Sequence, residues 1–361
     1  SAFDIMGIGK GVGGGMGADD FTPGFGIECN LDTNGTSDIT FVLPMDDGRV
    51  TETMTKAAEG KTKLGVALAK ALDGEVVSAD SMQVYRGMPI GTAQPTPEER
   101  DGVPHHMMAI ADPSENYSVA RYVEEATACV EDIFARGKQP ILVGGTGLYI
   151  DALCKGQTFS DFQPDSGLRA KLQAQAAQGG LPQLWTDLER IDPEAAARLH
   201  PNDEKRILRA LEVWYTTGKT ISQHNRETQA VPPRYEALTI TLTYADRQAL
   251  YARIDQRVDE MMAHGLVQEI QALLAAGIPK DGTAMQAIGY KELVPAVASG
   301  DADAIQQAAE EVKLRSRQYA KRQLSWFRRN PKAHWIEVDR QGNISSIIRD
   351  STDFLHENGV G

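Results

Sequence analysis

The stretch GKTKLGVALAKALDGEVVSADSMQVYRG, residues 60–87, decides how the chain folds. Leu64, Val66, Ala67, Leu68, Ala71 and Leu72 recur with helical spacing, and Gly74 is placed to end that helix. Glu75 to Ala79 then reads as a short buried strand with Asp80 at its end. Gly60-Lys61-Thr62 is the last part of G-x-x-x-x-G-K-[ST]. In such a loop, backbone N–H groups and a helix N-terminus hold phosphate oxygens, the lysine adds a point charge and the hydroxyl holds Mg²⁺. A phosphate clamp beside a strand-end carboxylate suits group transfer from a phosphorylated donor to a weak nucleophile.

The alternation continues outward. Ser118 to Arg136 reads as a long helix stopped at Gly137, and Ile141-Leu142-Val143 as a buried strand entering Gly144-Gly145-Thr146-Gly147. Strands recur at Ala237 to Leu242 and His334 to Val338, with helices over Arg247 to Ala275 and Ala304 to Arg328 and around Lys291. The expected class is α/β, a P-loop NTPase-like parallel sheet flanked by helices, with ligands at the carboxyl edge of its strands. From Phe162 to Pro233 strand patterns vanish; Leu168 to Gln178, Leu181 to Arg190, Pro193 to His200 and Asp203 to Thr217 all read as helices. The expected organisation is therefore a catalytic core over 51–161 and 234–340, a helical insertion domain over 162–233, and a tail over 341–361.

Residues 1–50 differ in character: nine glycines fall within the first 26 positions, so a flexible or foreign segment is expected. Only Ile39 to Leu43 reads as a strand there, closed by Pro44 and an Asp47-Gly48 turn. No apolar run approaches the roughly 20 residues of a membrane span, and Ser1-Ala2-Phe3-Asp4 lacks the features of a secretory signal. Cys29, Cys129 and Cys154 are few, odd in number and widely spaced. They fit a reducing compartment and no zinc site, so a cytoplasmic protein without a membrane partner is expected. The net charge of -13 argues against nucleic acid only in bulk, because surface fields are screened over about 8 Å. Between Val312 and Ile336 there is no acid, while Lys313, Arg315, Arg317, Lys321, Arg322, Arg328, Arg329 and Lys332 are basic.

Several residues admit both a chemical and a structural reading. Asp80 is either a general base facing the phosphate clamp or a turn residue. Thr146 offers a hydroxyl within what is otherwise a tight strand-to-helix turn. Arg253 and Arg257 share a helix face and either bind a diphosphate from the side opposite Lys61 or face solvent. Gln318, Tyr319, Lys321, Arg322, Gln323, Trp326 and Arg328 either contact phosphate and stack on bases or form a packed basic amphipathic helix. His105-His106 reads as a structural pair, since no Cys or carboxylate completes a metal set.

Taken together and in order, these blocks resemble the bacterial tRNA dimethylallyltransferase (tRNA isopentenyltransferase) family. The matching segments are GKT at 60–62, SADSMQVYRGMPIGTA at 78–93, PTPEER at 95–100, GVPHHM at 102–107, DPSENYSVARY at 112–122 and ILVGGTGLY at 141–149. LHPNDEKRILRALEV at 199–213, RIDQRVDEM at 253–261, AMQAIGYKEL at 284–293 and RQYAKRQLSWFRR at 317–329 complete the set. The resemblance implies transfer of a dimethylallyl group from dimethylallyl diphosphate to the N6 amine of adenosine 37 in tRNA, beside the anticodon. It implies Asp80 as the base, and Thr146 with Arg253 or Arg257 at the donor diphosphate. Ala57, Ala58, Gly60, Lys61 and Thr62 would hold phosphate, with Thr62 on Mg²⁺. The anticodon stem-loop of the tRNA partner would meet Asp80, Ser81, Met82, Gln83, Arg169, Lys205, Arg206, Arg209, Gln286, Gly289, Tyr290, Lys291, Lys321, Arg322 and Arg328. A monomer is expected.

The chain departs from the family before residue 60. Thr55 and Glu59 stand where small residues are expected, and no apolar strand leads into the loop. An intact tRNA surface with a weakened donor site follows as an expectation. The alternatives are a catalytically weakened tRNA-binding relative and a P-loop small-molecule kinase; the kinase reading gives no reason for the acid-free basic stretch.

Overall fold

The structure, a computed structural model, describes residues 39–44, 61–156, 166–230, 232–341 and 344–360. The chain divides into two compact units. One contains Ser118–Val123 and Ala152–Arg234; the other contains Asn30–Tyr117, Glu124–Asp151 and Tyr235–Gly361.

The larger unit is built on one sheet. Its strands are β1 (Ile39–Pro44), β2 (Gly74–Ser78), β3 (His105–His106), β4 (Gln139–Gly144), β5 (Ala237–Thr243) and β6 (His334–Glu337), arranged 3-2-4-1-5-6. β2 pairs parallel with β3 and β4, and β5 pairs parallel with β6. β1 alone among the described strands runs against its neighbours, pairing antiparallel with β4 and β5. The strand expected at 39–43 therefore exists, but reversed. Its Thr40 lies opposite Gly144, so the strand leaves the sheet at the edge away from the carboxyl ends of the others. Residues 45–60, including the expected Asp47-Gly48 turn, lie outside the described residues.

The apolar pattern of residues 64–72 does what its spacing dictates. The helix Lys61–Ala71 buries Leu64, Val66, Leu68 and Ala69 against Val76, Ile141, Val143, Ile240, Leu242 and Ile336. Its end differs from expectation: Asp73 takes the left-handed turn (φ 47°), and Gly74 already opens β2. The tail, from which no element was expected, supplies the helix Ile344–Glu357, whose Ile347 and Leu355 join the same core. The long helix read over 247–275 is two, Arg247–Ala263 and Leu266–Ala275, broken at Gly265 with φ 102°.

The smaller unit carries the helices Ser166–Gln175, Leu181–Ile191, Pro193–Ala196, Glu204–Thr217 and Ile221–Gln229, with no strand among its described residues. Leu184, Leu188, Ile207, Leu211 and Ile221 form its core. Asp192 ties it together, accepting from Ala195 N at 3.0 Å, Ser222 N at 3.0 Å and Ser222 Oγ at 2.6 Å. Among the described residues of the chain, no helix is long and apolar enough to cross a membrane.

At the amino end of β2, Glu75 is 3% exposed and receives Arg136 Nη1 and Nη2 at 2.5 and 2.8 Å, with His106 Nε2 2.7 Å away. The Arg136 hydrogen bonds hold the Glu75 carboxyl well below its usual range, at about 2. A depressed carboxylate stabilises the fold above its unfolded pKa, here the ordinary 4.5, and that contribution fades as pH falls toward 2. Glu75→Gln should lower unfolding stability by about 2 kcal/mol at pH 7, the outer exposure of Arg136 limiting the loss. In denaturant titrations the gap from the native protein should close between pH 5 and pH 2.

Candidate active site

Two strand ends meet at the carboxyl edge of the larger unit. Ala79 N donates to Val143 O at 2.9 Å, and Thr146 N donates back to Ala79 O at 3.1 Å. This seam requires Gly144, because a Cβ there would sit 2.1 Å from the Ala79 carbonyl oxygen. Gly145 and Gly147 are needed for a second approach. Gln323 Nε2 donates to Gly145 O at 2.9 Å, and a Cβ on Gly147 would lie 2.3 Å from Trp326 Nε1. The Gly-rich turn is thus shaped to receive the helix Ala302–Phe327, not only to turn.

The seam places Asp80. Its Oδ1 accepts from Met82 N at 2.9 Å and Gln83 N at 3.2 Å, which sets the plane of the carboxylate. Thr146 Oγ1 accepts from Ser81 N at 3.0 Å, so this hydroxyl holds the loop that carries Asp80. Gln83 is caged: Nε2 donates to the carbonyls of Thr92 and Ala93 at 3.3 and 3.0 Å, and Oε1 accepts from Ser78 Oγ at 3.0 Å. Beside it lies a small cleft, with about 10 Å³ of enclosed space, lined by Thr62, Ser78, Gln83, His105, Val143 and Gly144, among others.

The helix Arg247–Ala263 brings cations to the same region, and the structure separates the two arginines. Arg253 Nη1 is paired with Glu260 at 3.3 Å. Arg257 is pulled down to about 10 by burial and by the adjacent Arg253 charge; Glu260, Glu99 and Asp80 oppose that pull. It remains a cation at neutral pH, in the field of Asp80. Half-buried and beside a second cation, it is poised to gain from an arriving anion.

Sequence reasoning treated His105 only as structural. The structure puts it on the cavity wall, its Nδ1 2.8 Å from Val103 O. Burial pushes its pKa down, so the ring is neutral at pH 7; donation from Nδ1 then leaves Nε2 as the acceptor. The only available signal was its place after Val103-Pro104, which does not reveal which way an imidazole points.

The other expected contact residues differ in burial. The Met82 and Tyr290 side chains are fully buried. Tyr290 packs its ring on Gly91, where a Cβ would be 2.4 Å away, and hydrogen-bonds Glu269. Gly289, at φ 97°, is the cap before the helix Tyr290–Ser299. In the smaller unit Arg206 and Arg209 are 8% and 3% exposed. Arg206 pairs with Asp203 at 2.9 Å and Arg209 with Glu212 at 3.0 Å, while Arg169 lies 3.6 Å from Glu212. These three arginines thus help hold the insertion together, whereas Lys205 is exposed. In the larger unit Lys291, Lys321 and Arg328 are exposed, Gln286 is half-buried, and Arg322 lies 5.3 Å over the Tyr319 ring. Ala57, Ala58 and Gly60 lie outside the described residues, as does the Lys61 side chain.

The acid-free basic stretch is not acid-free in space. Lys313 pairs with Asp259 at 2.7 Å and Arg317 with Asp255, so these two cations bolt one helix to another. Among the described residues no cluster of three or more His, Cys, Asp or Glu could hold a metal.

The chain as a whole is similar to known proteins. A family model described as IPP transferase matches residues 83–330. A tRNA dimethylallyltransferase of Thermoanaerobacter sp. is 44% identical over 299 residues, covering 82% of this chain and 94% of that protein. A crystal structure of full-length tRNA isopentenylpyrophosphate transferase from Bacillus halodurans is 42% identical, with a TM-score of 0.60 over 82% of this chain and 92% of that one. A eukaryotic dimethylallyltransferase whose structures describe action on tRNA is 32% identical, with a TM-score of 0.69 over 82% and 77% of the two chains.

Gly144→Ala tests the seam. Because the new Cβ meets backbone and not a flexible side chain, the substitution should destabilise the fold by about 2–3 kcal/mol, read by urea unfolding.

Proposed function

The chain belongs to the IPP transferase family, and on that premise we propose that it transfers a dimethylallyl group from dimethylallyl diphosphate to N6 of adenosine 37 in the anticodon stem-loop of tRNA. The observation that carries the reading is the placement of a backbone-oriented carboxylate, Asp80, in the field of a half-buried arginine, Arg257, beside a cleft lined by Thr62.

The exocyclic amine of adenine is a weak nucleophile, so placement and proton removal dominate the barrier. As the bond from N6 to the allylic carbon forms, the carbon–oxygen bond to diphosphate breaks and Asp80 takes the amine proton. Negative charge grows on the departing diphosphate, and Arg257 is the cation that answers it. Arg253, already paired with Glu260, acts by raising the demand of Arg257 for an anion. Thr146 works through Ser81 to hold the Asp80 loop. Residues 80–83 are each at most 6% exposed, so a base reaches them only after leaving its stack. Lys291, Lys321 and Arg328 would then meet RNA phosphates from the surface.

Thr62 and Ser78 line the same cleft, and a hydroxyl oxygen is the kind of hard donor that Mg²⁺ takes. Thr62 would hold the ion, which supplies neutralisation of the leaving group. The protein acts as a monomer in this reading.

One observation favours a second reading, a tRNA-binding relative with weakened donor affinity. β1 enters the sheet reversed, so it does not run straight into the turn before Thr62 as a phosphate-loop strand does.

Incubation with labelled dimethylallyl diphosphate and tRNA carrying adenosine 37 decides between them: labelled tRNA supports transfer, and tRNA binding without product supports the second reading. Asp80→Asn should lower kcat by about 10³-fold, within the range of a positioned base, and leave tRNA affinity within twofold. Retained turnover in that variant would remove Asp80 from its role.

A further inference from the structure

Behind the Asp80 loop lies a buried carboxylate that no step above uses. Glu269, on the helix Leu266–Ala275, is 9% exposed. Its Oε2 accepts from Ile90 N at 2.8 Å, its Oε1 from Gly91 N at 2.9 Å, and Oε1 also receives the Tyr290 hydroxyl. Three donors converge on one side chain whose two backbone partners lie nearly 180 residues away in sequence.

The segment it grips is a strained turn. Ala93 holds φ 51° without being glycine, Thr92 Oγ1 bonds back to Met88 O at 2.5 Å, and Gly91 is pressed against the Tyr290 ring. The carbonyls of Thr92 and Ala93 at the end of this turn are the acceptors for Gln83 Nε2. Gln94 adds a second strap, donating from Nε2 to Gln83 O at 3.0 Å and Tyr85 O at 2.9 Å. Gln83 N in turn donates to Asp80 Oδ1 at 3.2 Å. An unbroken run of contacts joins Glu269 to Asp80: clamp, turn, glutamine, carboxylate.

We propose that Glu269 is a positioning residue for the transfer, setting the 88–93 turn so that Gln83 holds the Asp80 carboxylate in register. The proposal rests on the reading of Asp80 as the base. A carboxylate suits this task better than an amide, since both of its oxygens accept and the two adjacent N–H groups present only donors. Glu269→Gln would set an NH₂ group against one of those N–H groups, leaving a buried donor unmatched.

The test has a readout independent of turnover. Amide hydrogen exchange at Met82 and Gln83 reports the hydrogen bonds to Asp80 Oδ1. In Glu269→Gln their protection should fall about tenfold while the β4 amides keep theirs, the loss expected for one mismatched buried donor. kcat should fall about tenfold with the KM for dimethylallyl diphosphate and the affinity for tRNA held within twofold. The acidic limb of the kcat profile should move to higher pH, because a carboxylate that loses an N–H donor protonates more readily.

Tyr290→Phe removes a single donor and keeps the backbone clamp. It should reproduce each change at about two- to threefold, and it carries the test if Glu269→Gln does not fold. Unchanged protection at Met82 and Gln83 overturns the proposal. Lost protection with an unchanged kcat overturns it as well, since the turn would then not govern transfer. Failure of the base reading is separate: it appears as turnover retained in Asp80→Asn, whatever Glu269→Gln does.

Discussion

Two strand ends can cross at the carboxyl edge because Gly144 has no side chain, and the rest of the candidate site hangs on that contact. The Ala79 carbonyl occupies the space a Cβ would need, and it receives the Thr146 amide in return. From this seam Thr146 reaches Ser81, and the loop after β2 is turned so that Asp80 is bonded by its own downstream backbone. A strand-end aspartate is free to face many ways; here its loop is held by the Gly-rich turn after β4, 65 residues later in the chain.

The same turn docks the helix Ala302–Phe327 through Gln323 and Trp326, and that helix is bolted to Arg247–Ala263 by Lys313–Asp259 and Arg317–Asp255. Two segments far apart in sequence, one bearing Arg257 and one bearing exposed cations, are thereby held to a single sheet edge. Placing a half-buried cation beside another costs free energy, and that cost is what makes Arg257 responsive to an anion. Preorganisation of this kind needs a rigid support, and the buried ring of Tyr290 against Gly91, with Glu269 beside it, is its rear wall.

Charge in this protein is spent on structure as much as on recognition. The Arg206–Asp203 and Arg209–Glu212 pairs lie inside the helical unit, and Glu75 with Arg136 closes the far end of β2. For the two pairs of the helical unit, geometry and hydrogen bonds offset what burial loses in solvation, whereas Arg136 keeps part of its side chain in water.

Periodicity and turn chemistry in the sequence were enough for the elements themselves. The apolar spacing of residues 64–72, the buried run 141–143 and the alternation after them specified an α/β sheet with helices, because those patterns are local consequences of 3.6-residue and two-residue repeats. The blocks around Asp80, Thr146, Arg257 and Trp326 stood out as a set only through their resemblance to a family, since no local repeat links them. The reversed direction of β1, the helix formed by residues 344–357, the acidic partners of Lys313 and Arg317, the burial of Arg206, Arg209 and Tyr290, and the clamp made by Glu269 were not legible. Strand direction and ion-pair partners depend on which distant segments share a surface, and no local repeat encodes that. Tertiary packing alone decided which charges face solvent and which are consumed within the fold.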